Sequence, residues 1–435
     1  MSSARRSPPL VRLAAASLAA ALLLAAPAAA DVLVVDAAGG GEYTSLVEAL
    51  AAAQDGDTLL LRPGDYTALF QEFVITDRSL TLAADGTGDV QIGGLRVVQN
   101  VAGMRVVLRG LRADTFPQIA GGYGLHVQGG EVFAEDCSFK GRDGGVAATN
   151  SAAVGVRVDS GHLVLARCTV EGGLGPSNAP FHGFPAFAGA AGLYVSAAAR
   201  ASVYGGTLTG GAGGNDQLGG TLGVGEAGGP GLFATNGLLF LAGTTVSGGA
   251  GGSGDGPPAD PTDYAGGDAV HLDGVCDLAQ LDVTLVPGAG GLFVGRGTGT
   301  AGDALDGPLS TVTTHPGPYR SYALGDPTPE GEALQLDYSG LPGDLLAIFV
   351  TPAPATLPLP AKQGLWHLGA PLFGPYVLSA PSGTLSLSIP IAGAGLGPEG
   401  AVLLYEQVFV KPASGPALLS SSSTHLIVDG SLSPD

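Results

Sequence analysis

The residues best equipped for chemistry in this 435-residue chain recur at one place in a repeat. His126, Arg157, Tyr194, Phe233 and His271 are each third in a four-residue unit. The units are Gly124-Leu125-His126-Val127, Gly155-Val156-Arg157-Val158, Gly192-Leu193-Tyr194-Val195, Gly231-Leu232-Phe233-Ala234 and Ala269-Val270-His271-Leu272. An arginine can serve as general base for β-elimination beside a carboxylate when a cation stabilises the enolate. Arg157 is the candidate base, Asp159 its ligand or orienter, and His126 the third catalytic candidate. The whole column is the candidate ligand-binding face, because aromatic rings with Arg and His can hold sugars by stacking and hydrogen bonds. The same residues also fit a plain solvent-facing ladder.

Spacing limits the chemistry. The residue after each unit reads Gln128, Asp159, Ser196, Thr235 and Asp273. In stacked parallel strands Asp159 and Asp273 stand three coils apart, about 14 Å, so they cannot hold one calcium. The inserts can add Asp216 or Asp255. His126 and His271, four coils or about 19 Å apart, share no metal, and no His/Cys set has zinc spacing. No metal site or cofactor is therefore expected, calcium being the one ion with any support. That support is Gly210–Leu218, which resembles a single, imperfect calcium-binding nonapeptide. Hydrolysis of a glycoside needs two acids roughly 5–9.5 Å apart. Glu135 and Asp136 are adjacent in sequence, which turns at least one away from a shared substrate.

The elements that must position the column follow from alternation. Leu125/Val127, Val156/Val158, Leu193/Val195, Leu232/Ala234 and Val270/Leu272 flank the column residues and point inward, since residues two apart on a strand share a face. The unit recurs about every thirty to forty residues, the sign of a stacked architecture. The fold expected is all-β: a right-handed parallel β-helix, one copy per coil. In that register Asp136 lies over Arg167 and Lys140 over Glu171, which suits a cross-strand charge ladder. The inserts 142–154, 173–191, 211–230 and 249–268 enter one edge of one strand, so they should gather on one side. The chain's 74 glycines are concentrated there among other places, and the inserts read as flexible. Cys137 and Cys168 share an inward position on neighbouring coils. Stacked thiols and a bridge both remain open, because the Cα spacing suits a disulfide while the parallel Cβ atoms do not. Cys276 falls on a turn, unpaired.

The N-terminus has the form of a secretory signal: Arg5, Arg6 and Arg12, then an apolar run from Leu13 to Ala26, then Ala28-Ala29-Ala30. Cleavage before Asp31 makes the formal net charge of -20 more negative by three. Such acidity argues against nucleic-acid partners. No later apolar stretch is long enough for a transmembrane segment. A secreted, extracellular or cell-envelope protein is expected.

After a first strand at Val32–Val35, Ser45 and Glu48 have capping-box spacing. Leu46, Val47, Leu50 and Ala51 then form an apolar helical face ended by Asp55-Gly56-Asp57. Helix 45–54 is the expected cap on the open end of the solenoid. Tyr43–Leu50, followed by Asp55-Gly56-Asp57 and the strand running to Pro63-Gly64-Asp65-Tyr66, resembles the opening of the pectate lyase-like superfamily of β-helix proteins. With the later coils the likeness covers roughly residues 32–300. It implies the fold and a polysaccharide or cell-surface glycan as partner. That superfamily spans lyases, hydrolases, adhesins and phage spikes, so fold does not choose the activity. The Asp-Asp and Gly-His-Gly motifs of its polygalacturonases are absent.

Beyond Gly299 the pattern changes. Strands at Leu334–Tyr338, Leu345–Val350, Leu365–Leu368, Leu385–Ile389, Val402–Val410 and His425–Val428 have sandwich-like spacing. Leu385–Ile389 with Gly400–Gln407 resembles a small C-terminal β-sandwich of secreted bacterial repeat proteins. Trp366 and Tyr376 there are either a sugar platform or core. The domains expected are a signal at 1–30, a β-helix at 31–310, a linker at 311–330 and a sandwich at 331–435. The function expected is surface-structural or glycan-binding and non-catalytic, the alternative being a polysaccharide lyase or glycoside hydrolase.

Overall fold

The computed structural model describes residues 30–435, apart from 68–71, 87, 116–121, 146–150, 178–187, 216–224, 255–262, 294–296, 308–309, 326, 353, 360–363, 391–399, 415–416 and 430–435. The expected signal segment, except Ala30, lies outside the described residues, as do Asp216 and Asp255. Two compact units result: residues 35–55 with 61–316, and residues 317–435 with 30–34 and 56–60.

The first unit is a parallel β-helix of three sheets. The first sheet stacks Phe73–Thr76, Leu95–Val98, the leading parts of Leu125–Glu135, Val156–Ala166 and Leu193–Tyr204, then Leu232–Thr235, Val270–Asp273 and Leu305–Asp306. The trailing parts of those three long strands belong to the second sheet. It also holds Leu80–Ala84, Arg105–Arg109, Leu238–Ala242, Asp277–Leu281 and Thr311–His315. Thus the start of the stretch read as a connection is a strand paired in parallel with Asp277–Leu281. Short strands from Gly64–Asp65 to Thr284–Val286 make the third sheet. Every one of these pairings is parallel. Val127, Val158 and Val195 lie in register and are fully buried. Each such side chain contributes roughly 1.5–3 kcal/mol of hydrophobic stabilisation.

Between the second and third sheets the chain turns through a left-handed residue at a matching place on six coils, with a second, Gly206, following Gly205. Gly110, Asp136, Arg167, Gly205, Gly243 and Asp282 fill this place with φ of 53–68°. Glycine and aspartate tolerate it, whereas arginine does so at a cost of roughly 1–3 kcal/mol. The expected pair offsets that cost: Arg167 donates from Nε and Nη2 to both Asp136 oxygens at 2.8 Å, and also to Glu135. The other expected pair is not made. Lys140 stands over Glu171 in register, but its ammonium pairs with Asp143 at 3.1 Å. Cys137, Cys168 and Cys276 are all free thiols and buried. Burial drives the Cys168 thiol well above its ordinary pKa.

The helix forms over Leu46–Ala52. Ser45 takes an extended N-cap conformation but makes no side-chain cap bond, so the capping box is absent. The buried stripe is Leu46, Ala49, Leu50 and Ala53; Ala51 is exposed. Arg78 closes the helix by donating to the carbonyls of Leu50 and Ala53 at 3.0 and 2.6 Å.

The described parts of the inserts are not loose. Each insert leaves the third sheet as one extended leg and returns to the first sheet as another. Outward legs bond to one another every third residue, as Gly210 N–H to Ser247 and Gly213 N–H to Ala250. The next residue bonds across to the returning legs. One file runs Gly211 to Ala190, Gly229 to Gly211, Gly249 to Gly229 and Gly267 to Gly249, each at 2.8 Å. A three-residue repeat whose hydrogen bonds run between neighbouring legs is the bonding pattern of polyproline II segments. The triplets Gly210-Gly211-Ala212 and Gly248-Gly249-Ala250 match it. A Cβ on Gly249 would sit 1.9 Å from the Gly211 carbonyl oxygen. Close approach, not positive φ, therefore demands glycine there. At the outer face side chains pair the remaining amides: Asn215 N–H to Ser177, Ser253 N–H to Asn215 and Leu292 N–H to Ser253. The described parts of the inserts gather on one side, as their entry points require. Gly210–Asn215, the described part of the nonapeptide-like run, is one leg of this array.

The second unit packs two antiparallel sheets. Ser321–Leu324, Ala333–Ser339 and Thr384–Pro390 form one. Asp344–Thr351, Phe373–Ala380, Gly400–Lys411 and Leu418–Val428 form the other. Their inner faces enclose Tyr322, Leu336, Leu346, Ile348, Val408 and Ile427, the β-sandwich expected. Tyr376 packs against this core. Trp366 instead meets Phe349 and Phe409, which alternate with core residues and so occupy the opposite face. Trp366 and Tyr376 therefore do not share one platform.

Candidate functional site

The five column residues stack as neighbours. His126 pairs with Arg157, Arg157 with Tyr194, Tyr194 with Phe233 and Phe233 with His271. Arg96 precedes His126 and Asp306 follows His271. Parallel pairing in one register, with Leu125/Val127-type residues locked inward, forces the intervening side chain outward on every coil.

At one end Asp159 gathers two partners. His126 Nε2 lies 2.8 Å from Oδ2, and Arg157 Nε donates to Oδ1 at 2.8 Å. Asp159 can do this because it is the extra residue of a bulge. The register passes from Val158 with Val195 to Ser160 with Ala198, and Gln128 faces Ser160. The column expected from Gln128 through Asp159 to Ser196 is therefore broken at Asp159, whose carbonyl instead accepts from the Ser196 hydroxyl. Burial pushes the Asp159 carboxyl up, but the His126 and Arg157 hydrogen bonds outweigh it and leave it below its ordinary pKa. Burial likewise opposes the Arg157 charge, and the Asp159 bond overcomes it, raising the guanidinium above its ordinary pKa. Arg157 also donates to the Tyr123 hydroxyl at 3.2 Å and lies 5.0 Å from the Tyr194 ring centre. Further along, Arg96 pairs with Glu72 at 3.1 Å, and burial raises Glu72.

The middle of the column is a pile of rings. Tyr194 and Phe233 are 5.5 Å apart and 7° from parallel; Phe233 and His271 are 5.0 Å apart and 9° from parallel. Ring faces thus cover one another, and what turns outward is edges and polar tips. Stacking a sugar on these faces, as the residue types alone invite, is not available between neighbouring rings.

At the other end His271 Nδ1 lies 2.9 Å from Asp268 Oδ2 and 3.1 Å from Asp306 Oδ2. Asp268 Oδ1 accepts the Asp303 amide at 2.7 Å. Tyr123, Asp268 and Asp306 are the site residues that sequence reasoning missed. A signal existed for two of them: Gly267-Asp268-Ala269 recurs as Gly302-Asp303-Ala304, which marks Leu305–Asp306 as one more coil. The structure does not bring Asp159 and Asp273 together: Thr235 stands one coil beyond Ser196, and Asp273 pairs with Thr235 on the coil after that.

No protein-family model and no curated protein matches the chain. Pectate lyase Pel9A is a similar solved structure, at 12% identity and a TM-score of 0.31, over 66% of this chain and 80% of its own. Another is the enzymatically active domain of tailspike protein 4 from bacteriophage CBA120, at 12% identity and a TM-score of 0.18, over 86% and 64%. The class of protein rests on the chain's own hydrogen bonding: a parallel β-helix with a C-terminal antiparallel sandwich. No helix among the described residues is long and apolar enough to cross a membrane.

Proposed function

We propose that this is an exported β-helix protein that holds an extended glycan along the outward face of its first sheet and does not cleave it. The carrying observation is the closed set of Asp159, Arg157 and His126. A base for β-elimination must shed its proton near working pH. Arg157 is shifted the wrong way, and its Nε is committed to Asp159. Asp159 is held ionised by the same bonds, so it is a poor general acid. Recognition then rests on the tips along the column: the Tyr194 hydroxyl, the free edge of His271 and the remaining guanidinium donors of Arg157. Such donors suit the hydroxyls of a polysaccharide laid parallel to the solenoid axis.

A panel of immobilised polysaccharides tests this. Retention of one of them, weakened in Tyr194→Ala and Arg157→Ala, with no new reducing ends or unsaturated sugars, is the expected result. Product release that disappears in Arg157→Ala replaces this reading with the lyase one.

A further inference from the structure

We infer that Asp268, His271 and Asp306 form a binding site for one divalent transition-metal ion of the zinc class. Three separate segments supply the donors: the last insert's returning leg, the strand Val270–Asp273, and the following coil. Their ligand atoms all lie within 4.8 Å of one another. Zinc bonds of about 2.0–2.1 Å at tetrahedral angles set neighbouring donors about 3.3 Å apart. The 2.9 and 3.1 Å separations from His271 Nδ1 to the two carboxylates are close to that edge. The donor set is mixed, one imidazole nitrogen and two carboxylate oxygens. Imidazole favours zinc, nickel or cobalt, whereas calcium selects oxygen alone.

The ligands are also held for the task. The Asp303 amide on Asp268 Oδ1 leaves Oδ2 turned toward the imidazole. The Phe233 ring, 9° from parallel with His271, fixes the plane of the imidazole. Outer partners of this kind orient metal ligands and are worth about 10–100-fold in affinity. Two carboxylate oxygens this close to one ring nitrogen need a hydrogen-bond donor or a cation between them. An Nδ1–H hydrogen or a metal ion meets that need. The side chains keep 22–43% of their surface, so an ion can enter and retain a water ligand.

Titration of the metal-stripped, full chain with cobalt(II), zinc(II) and calcium(II), without any glycan, decides between proton and metal. One equivalent of cobalt should bind with the visible absorption of a low-coordinate site and be displaced by zinc. His271→Gln and Asp306→Asn should each weaken binding more than about tenfold. Two variants are used so that misfolding of one does not end the test, and circular dichroism checks each. Absence of saturable binding overturns the site, as does binding that both variants leave unchanged. Tighter binding of calcium than of zinc overturns the metal class.

Discussion

The first sheet and the glycine array both climb the same solenoid, one layer per coil, yet they are specified in opposite ways. In the sheet the repeat is carried by side chains. Leu193 and its neighbours pack inward, while the outward place accepts His, Arg, Tyr, Phe or His in turn. In the array the repeat is carried by backbone amides, and side chains are excluded because legs approach within hydrogen-bonding distance on several sides. A sheet can therefore vary its outward residues and acquire a binding face at little structural cost. The array has no such freedom except at every third residue, where Ala212, Ala250 and Asn215 stand.

That contrast can be broken by experiment. Leu193→Ala opens a cavity in the dry shaft and should cost about 2–5 kcal/mol in denaturant unfolding; a smaller loss would mean the coils are loosely packed. Acidification should act next. The second sheet buries His162, with Ser202 at 3.0 Å, and burial, helped by Arg200, lowers its pKa to about 4. Its unfolded value is the ordinary 6.5, so the unfolded chain binds the extra proton. Stability is whole above pH 6.5 and falls as pH drops toward 4, by on the order of 2–3 kcal/mol. His162→Gln should remove that component from the pH dependence, whatever its own cost.

Gly249→Ala places a Cβ against the Gly211 carbonyl and should cost about 1–3 kcal/mol, as overpacking does. Ala250→Ser, one residue on and exposed, should stay within about 0.5 kcal/mol. Equal tolerance at both positions would show that the array is not close-packed. A modest effect, below that of Gly249→Ala, belongs to the outward column. Tyr194→Leu gives up ring contacts worth about 0.5–1.5 kcal/mol and should lower the melting temperature only slightly. A collapse of the fold would make the column a structural spine.

Much of the solenoid was legible because its rules are local. Inward Val127 and Val158 alternate with outward His126 and Arg157 within a few bonds, and the copies then only need to be laid on one another. The bulge was not legible. Nothing around Asp159 announces that it leaves the ladder, since Gln128, Ser196 and Thr235 occupy the matching places innocently. The capping box failed for a similar reason: Ser45 and Glu48 have the right spacing, but spacing does not oblige the hydroxyl to bond. The glycine runs were visible, and composition alone read them as flexible. Order came from neighbours, because a polyproline II leg has no internal hydrogen bonds and is defined only by the legs beside it.

By itself the sequence determined that this chain would coil, which residues would fill the shaft and which would stand outside. Those facts are periodic, and alternation along a strand is enforced by covalent geometry. Only the tertiary structure decided what the outward residues are free to do. It tied Arg157 to Asp159, hid the faces of Tyr194 and Phe233 against each other, and brought Asp306 to His271. Charge and hydrogen bonding act over a few ångströms, and those distances come into being only when successive coils close.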